Sequence, residues 1–215
     1  MSNDPYKILK IDPSAKLEEI KKAYRELVKI HHPDKGGDAK VILEINAAWE
    51  ILKKKHKDLN PLNIPKKYKK DSYKKETNHF SKSEDIKDWF QSIYLPIDKL
   101  LGEIINPLSS KIKDLSGDPY DQFLMDSFCS YLEKSKNKIK KVKTIYSSIV
   151  TPSILRDFSL DLYHCFSQVD DGLNELERYT MGYVDNYLHD GKSMISAARR
   201  KRKLLQTNKK EWLIL

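Results

Sequence analysis

With 215 residues, the chain is long enough for one or two domains, and 39% hydrophobic with 33% charged residues excludes both a wholly disordered and a membrane-embedded polypeptide. Two cysteines, Cys129 and Cys165, exclude a disulfide scaffold and fit a reducing compartment. The net charge of +9 is concentrated: residues 1–52 balance nine Lys/Arg against nine Asp/Glu, residues 53–75 carry ten lysines against two aspartates, and residues 76–215 carry twenty-one basic against twenty acidic groups.

In chain order, the first expected helix covers about 4–10, with Asp4 as its cap, Pro5 in its first turn, and Tyr6 and Leu9 facing a core. The second covers about 17–31, where Ile20, Ala23, Leu27 and His31 recur at helical spacing. Lys16 sits where a short polar cap is preferred, three residues before Glu19, and leaves this helix poorly capped. Along the helix Lys21, Arg25 and Lys29 step by four, with Lys22 beside them; such a stripe is more often an ordinary solvated face than a contact surface. Tyr24 fits a core edge and a contact residue equally well. The third helix covers about 38–53, opened by Asp38 and burying Ile42, Ile45, Ala48, Trp49 and Leu52.

Between the second and third helices stands "HHPDKGGD", residues 31–38. Pro33 disfavours helix at His32, and Gly36 and Gly37 free the chain to reverse. In isolation this is a glycine-rich turn. A metal site is weaker, because His31 and His32 lack further ligands at usable spacing, and no nucleophile is present.

The stretches "DPYKIL", "EEIKKAYREL", "HHPDK" and "INAAWEIL" occur in this order and spacing over residues 3–53. Together they resemble the J domain of DnaJ-like co-chaperones. The resemblance implies a short helix across an antiparallel helical hairpin. It also implies a DnaK-type heat-shock ATPase as partner, whose ATP hydrolysis the domain stimulates. His32, Pro33 and Asp34 would carry that activity, and Lys21, Lys22, Tyr24, Arg25 and Lys29 would lie on the partner-facing side of the second helix. No Gly/Phe-rich segment and no zinc repeat follow, so the chain resembles the third class of J proteins, which join the domain to an unrelated targeting or client-specific region.

Residues 54–82 read as a lysine-rich linker, with Pro61 and Pro65 against packing. Residues 83–206 read as a helical client or targeting domain: apolar steps of three and four run through 86–115, 119–149 and from 151 onward. Pro96 and Pro107 should kink or divide the first run, and Gly182 and Gly191 the third. Residues 207–215 form a tail. The expected whole is all-α: a J domain, a linker and a bundle of long amphipathic helices.

Lysines 134–143 and "RRKRK" at 199–203 raise an alternative: a basic adaptor for anionic membrane or nucleic acid that keeps the J fold as scaffold. His164, Cys165 and Asp161 share neighbouring helical turns, which is incidental helix composition. No catalytic set, cofactor loop or small-molecule site is visible, so the expectation is a regulator of a partner ATPase rather than an enzyme. No secretory signal or membrane-span-length apolar run occurs, which points to a cytoplasmic protein, with peripheral membrane attachment as the alternative.

Overall fold

A computed structural model describes residues 4–32, 36–58 and 82–212. Every element assigned among them is a helix, so the all-α expectation holds. The chain divides into two compact units, residues 1–76 and 77–215.

In the first unit α1 is Pro5–Ile8, α2 is Leu17–Ile30 and α3 is Ala39–Asp58. Asp4 caps α1 by accepting the Tyr6 N–H at 3.1 Å. That helix stops before residue 10, because Lys10 adopts a left-handed conformation (φ 54°) that ends the turn. Lysine cannot accept a bond at the start of α2, but half a capping box survives: the Lys16 N–H donates to the Glu19 carboxylate at 2.7 Å. Asp38 caps α3, its Oδ1 accepting the Lys40 N–H at 2.8 Å. Helices α2 and α3 bury Ile20, Leu27 and Val28 against Ile45, Ala48, Trp49 and Leu52, with Leu9 closing the core. Ala23 and Ile42, expected in the stripes, are only half-buried. Helix α3 runs past residue 53 because Lys53 to Lys57 are tolerant of helix and no proline lies between Ala39 and Pro61. Of the expected linker, residues 59–81 lie outside the described residues.

The second unit contains α4 (Lys82–Trp89), a π-helical turn (Phe90–Tyr94), α5 (Leu95–Ile105), α6 (Leu108–Leu115), α7 (Gln122–Tyr146), α8 (Arg156–Gly182) and α9 (Asp185–Trp212). Pro96 does not divide the first run, which stays helical through it. The π turn just before it widens the ladder, with the Leu95 N–H reaching Phe90 O, and absorbs the missing donor. Pro107 does divide it, separating α5 from α6.

The third run is two helices rather than one. It turns at Tyr183, in left-handed conformation (φ 55°), and α9 packs back along α8. Gly191 does not interrupt α9. A Cβ there would meet Gly172 O at 2.8 Å, and one on Gly172 would meet Gly191 O at 3.0 Å, so the two glycines let the helices approach. The residues expected as a tail begin inside α9, and Trp212 packs on the core; residues 213–215 lie outside the described ones. One core runs through the unit, from Trp89, Phe90 and Tyr94 against Phe158 to Leu173 and Leu176.

Candidate functional site

The loop joining α2 to α3 starts where the His31 N–H closes the last turn on Leu27 O at 3.0 Å. His31 and His32 are both half-buried. Pro33 and Asp34 lie outside the described residues, as does Lys35. The chain returns at Gly36, with φ of +74°, and at Gly37, whose N–H donates to His32 O at 3.1 Å. His32 is thereby fixed through its backbone at one end of the loop.

The side of α2 beside this loop is less uniform than its four-residue steps suggest. Lys22 is exposed and Lys29 half-buried. Lys21 is mostly covered and pairs with Glu18 at 3.1 Å. Tyr24 belongs to the core: it is 7% exposed, its hydroxyl donates to Asn46 Oδ1 at 2.8 Å, and its ring lies 5.2 Å from that of Trp49. Burial, reinforced by the Glu50 charge, pushes its phenol up to about 12. Arg25 is also buried, at 8% exposed, with no hydrogen-bond partner on its Nε. Helical geometry explains the split, because positions 21 and 25 lie beside the buried positions 24 and 28. Tyr24 and Arg25 therefore tie α2 to its surroundings, and the solvent-facing cations of the set are Lys22 and Lys29.

In the second unit the expected basic clusters are split: Lys134, Lys140, Lys141, Arg200 and Lys203 are exposed, while others pair within the fold. On α7, Lys136 pairs with Glu177, Lys138 with Glu103 at 2.9 Å and Lys143 with Asp170 at 2.6 Å. The Lys138 ammonium holds the Glu103 carboxyl below the usual carboxylate range. On α9, Arg202 makes a two-pronged bond to Asp98 at 2.7 and 3.0 Å, and the Gln206 amide donates to both oxygens of the same carboxylate at 3.1 Å. Arg199 donates to Ile105 O at 2.7 Å, covering an orphaned carbonyl at the end of α5. Lys201 faces Asp161 at 3.7 Å. A Cβ on Gly102 would lie 2.8 Å from the Arg202 guanidinium, so that glycine makes the clamp's room.

The Asp98 clamp was not legible in the sequence. Arg202 and Gln206 stand one helical turn apart, which is a signal, but nothing marks Asp98, 104 residues earlier, as their partner.

Cys165 is fully buried, its thiol donating to Ala198 O at 3.4 Å, while His164 is exposed; Asp161, Cys165 and His164 form no constellation. Among the described residues no three His, Cys, Asp or Glu side chains converge to hold a metal ion, and no helix is long and apolar enough to cross a membrane.

Comparison with known proteins assigns both units. Residues 4–60 match the DnaJ domain, and residues 81–213 match the cyanobacterial DnaJ chaperone, C-terminal domain. The chain is 57% identical over 53 residues to the chaperone protein DnaJ of Mycoplasmopsis pulmonis, covering 23% of this chain and 14% of that protein. It is 45% identical over 51 residues to the tetratricopeptide repeat and J domain-containing co-chaperone DNJ1 of Mycosarcoma maydis, 24% of this chain and 9% of that one. To the human translocation protein SEC63 homolog it is 47% identical over 49 residues, 23% of this chain and 6% of that one. The chain thus spans under a sixth of the length of these relatives. No solved structure matches it. Since the C-terminal match alone covers more than half of the residues, the chain belongs to the cyanobacterial DnaJ chaperone family defined by that domain, with a DnaJ domain ahead of it.

Proposed function

We propose that this protein is a J-domain co-chaperone that stimulates ATP hydrolysis by a DnaK-type heat-shock ATPase and brings that ATPase to a particular client or place through its helical second unit. The observation that carries this reading is the His32-Pro33-Asp34 tripeptide, set between α2 and α3 in a segment matching the DnaJ domain. In this reading Asp34 accepts a forked bond from a partner arginine. Pro33 limits the ordering entropy lost on docking. His32 sits just beyond the C-terminus of α2, where its ring can donate or accept a hydrogen bond to the partner. Lys22 and Lys29, with Lys21, speed encounter with an acidic partner surface more than they fix affinity. Tyr24 and Arg25 act by holding α2 in place. The hydrolysed bond lies in the partner, so this chain regulates an enzyme.

The basic-adaptor alternative draws on a smaller set of cations than the sequence offers, because Lys136, Lys138, Lys143, Arg199, Lys201 and Arg202 are engaged within the fold, whereas Lys134, Lys140, Lys141, Arg200 and Lys203 stay exposed. The test is single-turnover ATP hydrolysis by a DnaK-type ATPase with increasing amounts of this protein. The wild-type chain should accelerate hydrolysis and His32→Gln should not, with an unchanged circular dichroism melt. Equal acceleration by both proteins removes the reading.

A further inference from the structure

Between α7 and α8 the second unit exposes apolar and basic side chains together. From Lys134 to Arg156 the sequence carries seven cations and no Asp or Glu. Lys136, Lys138 and Lys143 pair with Glu177, Glu103 and Asp170, but Lys134, Lys140, Lys141 and Arg156 are exposed. Large apolar side chains stand in water beside them: Val150 is 81% exposed, and Ile149, Ile154, Leu160 and Tyr163 lie between 44% and 55%. Apolar groups gathered in this way and rimmed by charge mark an interaction surface. The connection that carries them is tied down. The Tyr146 and Ser159 hydroxyls are 2.9 Å apart, those of Thr151 and Ser159 are 3.1 Å apart, and a 3₁₀ turn at Ser153–Leu155 leads into α8.

We infer that this connection docks on an anionic bilayer, with Ile149, Val150, Ile154 and Leu160 entering the acyl boundary and Lys140, Lys141 and Arg156 meeting lipid phosphates. Charge complementarity selects the occupant: the acid-free stretch attracts an anionic surface and repels no part of it. The next acids along the chain, Asp157 and Asp161, lie on α8, and Asp161 already faces Lys201 at 3.7 Å. Lengths agree as well. By helical rise Lys141 stands about 9 Å from Ser147, and amphipathic elements enter a bilayer by about 5–10 Å, so the lysines are at headgroup depth when the apolar side chains are inserted. An acidic protein is the other partner with suitable charge. It would need a recess for its own apolar groups, and the cleft beside the connection, lined by Lys143, Tyr146, Tyr163, Phe166 and Ser167, has its one cation tied to Asp170. Projecting side chains, Val150 above all, suit a fluid surface better. In the co-chaperone reading the bilayer is the place to which the ATPase is brought, and the inference rests on that reading for its purpose but not for the docking itself.

The experiment sediments the full-length chain with vesicles of phosphatidylcholine mixed with phosphatidylglycerol, and with vesicles of phosphatidylcholine alone, at about 0.1 M salt, where charges act over about 10 Å. Wild type should bind the anionic vesicles and leave the neutral ones. Val150→Ser combined with Ile154→Ser keeps every charge and should weaken binding roughly tenfold or more. Lys140→Gln combined with Lys141→Gln keeps every apolar group and should weaken it by a similar factor, roughly tenfold or more. Binding of the serine variant equal to that of wild type overturns the inference, because cations elsewhere, such as those of residues 53–75, then carry the attraction. Absence of wild-type binding to anionic vesicles also overturns it and leaves an acidic protein as the occupant. Should a variant melt early, amide hydrogen exchange on wild type decides: residues 147–154 should slow when anionic vesicles are added, and unchanged exchange overturns the docking. His32→Gln should bind vesicles as wild type does, and the serine variant should stimulate a DnaK-type ATPase in vesicle-free solution as wild type does. Failure of the docking and failure of the co-chaperone reading are thus seen separately.

Discussion

On α2, Lys22 is exposed and Lys29 half-exposed beside a loop whose ends are fixed by neighbouring backbone, whereas on α9 Arg199 and Arg202 are drawn into bonds with Ile105 and Asp98. In the first unit the helix caps are short-range, with Asp4 to Tyr6, Glu19 to Lys16 and Asp38 to Lys40 each two or three residues apart, and the Tyr24 hydroxyl on Asn46 links α2 to α3. The second is closed by bonds that bridge distant helices, such as the Tyr131 hydroxyl on Ile104 O at 2.7 Å and the Asp98 clamp. The contrast shows that a run of cations has no fixed meaning. On α2 Lys22 stays exposed, and in the bundle, with acids on the facing helices, part of a run of cations becomes structural.

The largest test of this contrast is Arg202→Ala. Arg202 and Asp98 are each less than a fifth exposed, so the substitution leaves a mostly covered carboxylate with only Gln206 on it. Removing one member of such a pair costs about 3–5 kcal/mol. Amides of Leu173 and Ile195 should exchange correspondingly faster, while those of Leu27 and Ile45 in the first unit stay unchanged. Equal loss in both units, or loss in neither, breaks the assignment of the arginine to the bundle.

Alkaline pH should separate the units next. Burial pushes the Cys165 thiol from 9.0 up to about 12, and the Tyr131 and Tyr179 phenols from 10.0 up to about 12. In each case the folded state holds the proton more tightly than the unfolded chain. The associated stability is therefore complete below the ordinary value and lost as pH rises toward the folded one. The first unit has Tyr24, raised from 10.0 to about 12, as its corresponding group. Exchange protection in the second unit should begin to fall near pH 9.0, and in the first only near 10.0. Cys165→Ala should move the onset in the second unit up to that of its tyrosines. A common onset in wild type and variant contradicts the role given to the thiol.

Much of the fold was legible because helical spacing is local. Ile20 with Leu27, and Ile45 with Ala48, Trp49 and Leu52, were marked by their steps alone, and all are buried. The divide in the third run was marked by Gly182, where α8 ends; the sequence did not show that the left-handed residue there is the bulky Tyr183 rather than the glycine. Gly191 was misread for a related reason. A glycine that breaks a helix and one that lets another helix approach look alike until the partner, Gly172, is known. At the loop the tripeptide was legible, whereas the choice between core and contact for Tyr24 was not, since it is set by Asn46 and Trp49 on α3.

The smallest effect concerns the one cap that the first unit lacks. Lys16 precedes α2 with extended backbone and is exposed, and its ammonium has no lone pair to offer the N–H of Glu19. The reverse bond, Lys16 N–H to the Glu19 carboxylate at 2.7 Å, is already in place. Lys16→Ser supplies the missing acceptor without disturbing a buried contact and completes the reciprocal pair. A gain of about 0.5–1 kcal/mol follows, seen as slower exchange at Leu27 and Ile45 with no change at Leu173 and Ile195. Because the substituted site is local to α2, any response in the bundle would show that the two units do not unfold independently. No gain in the first unit would show that solvent already satisfies the Glu19 N–H as well as a serine does. In either case the half-saturating concentration for ATPase stimulation should not move, because the cap lies at the far end of α2 from the loop.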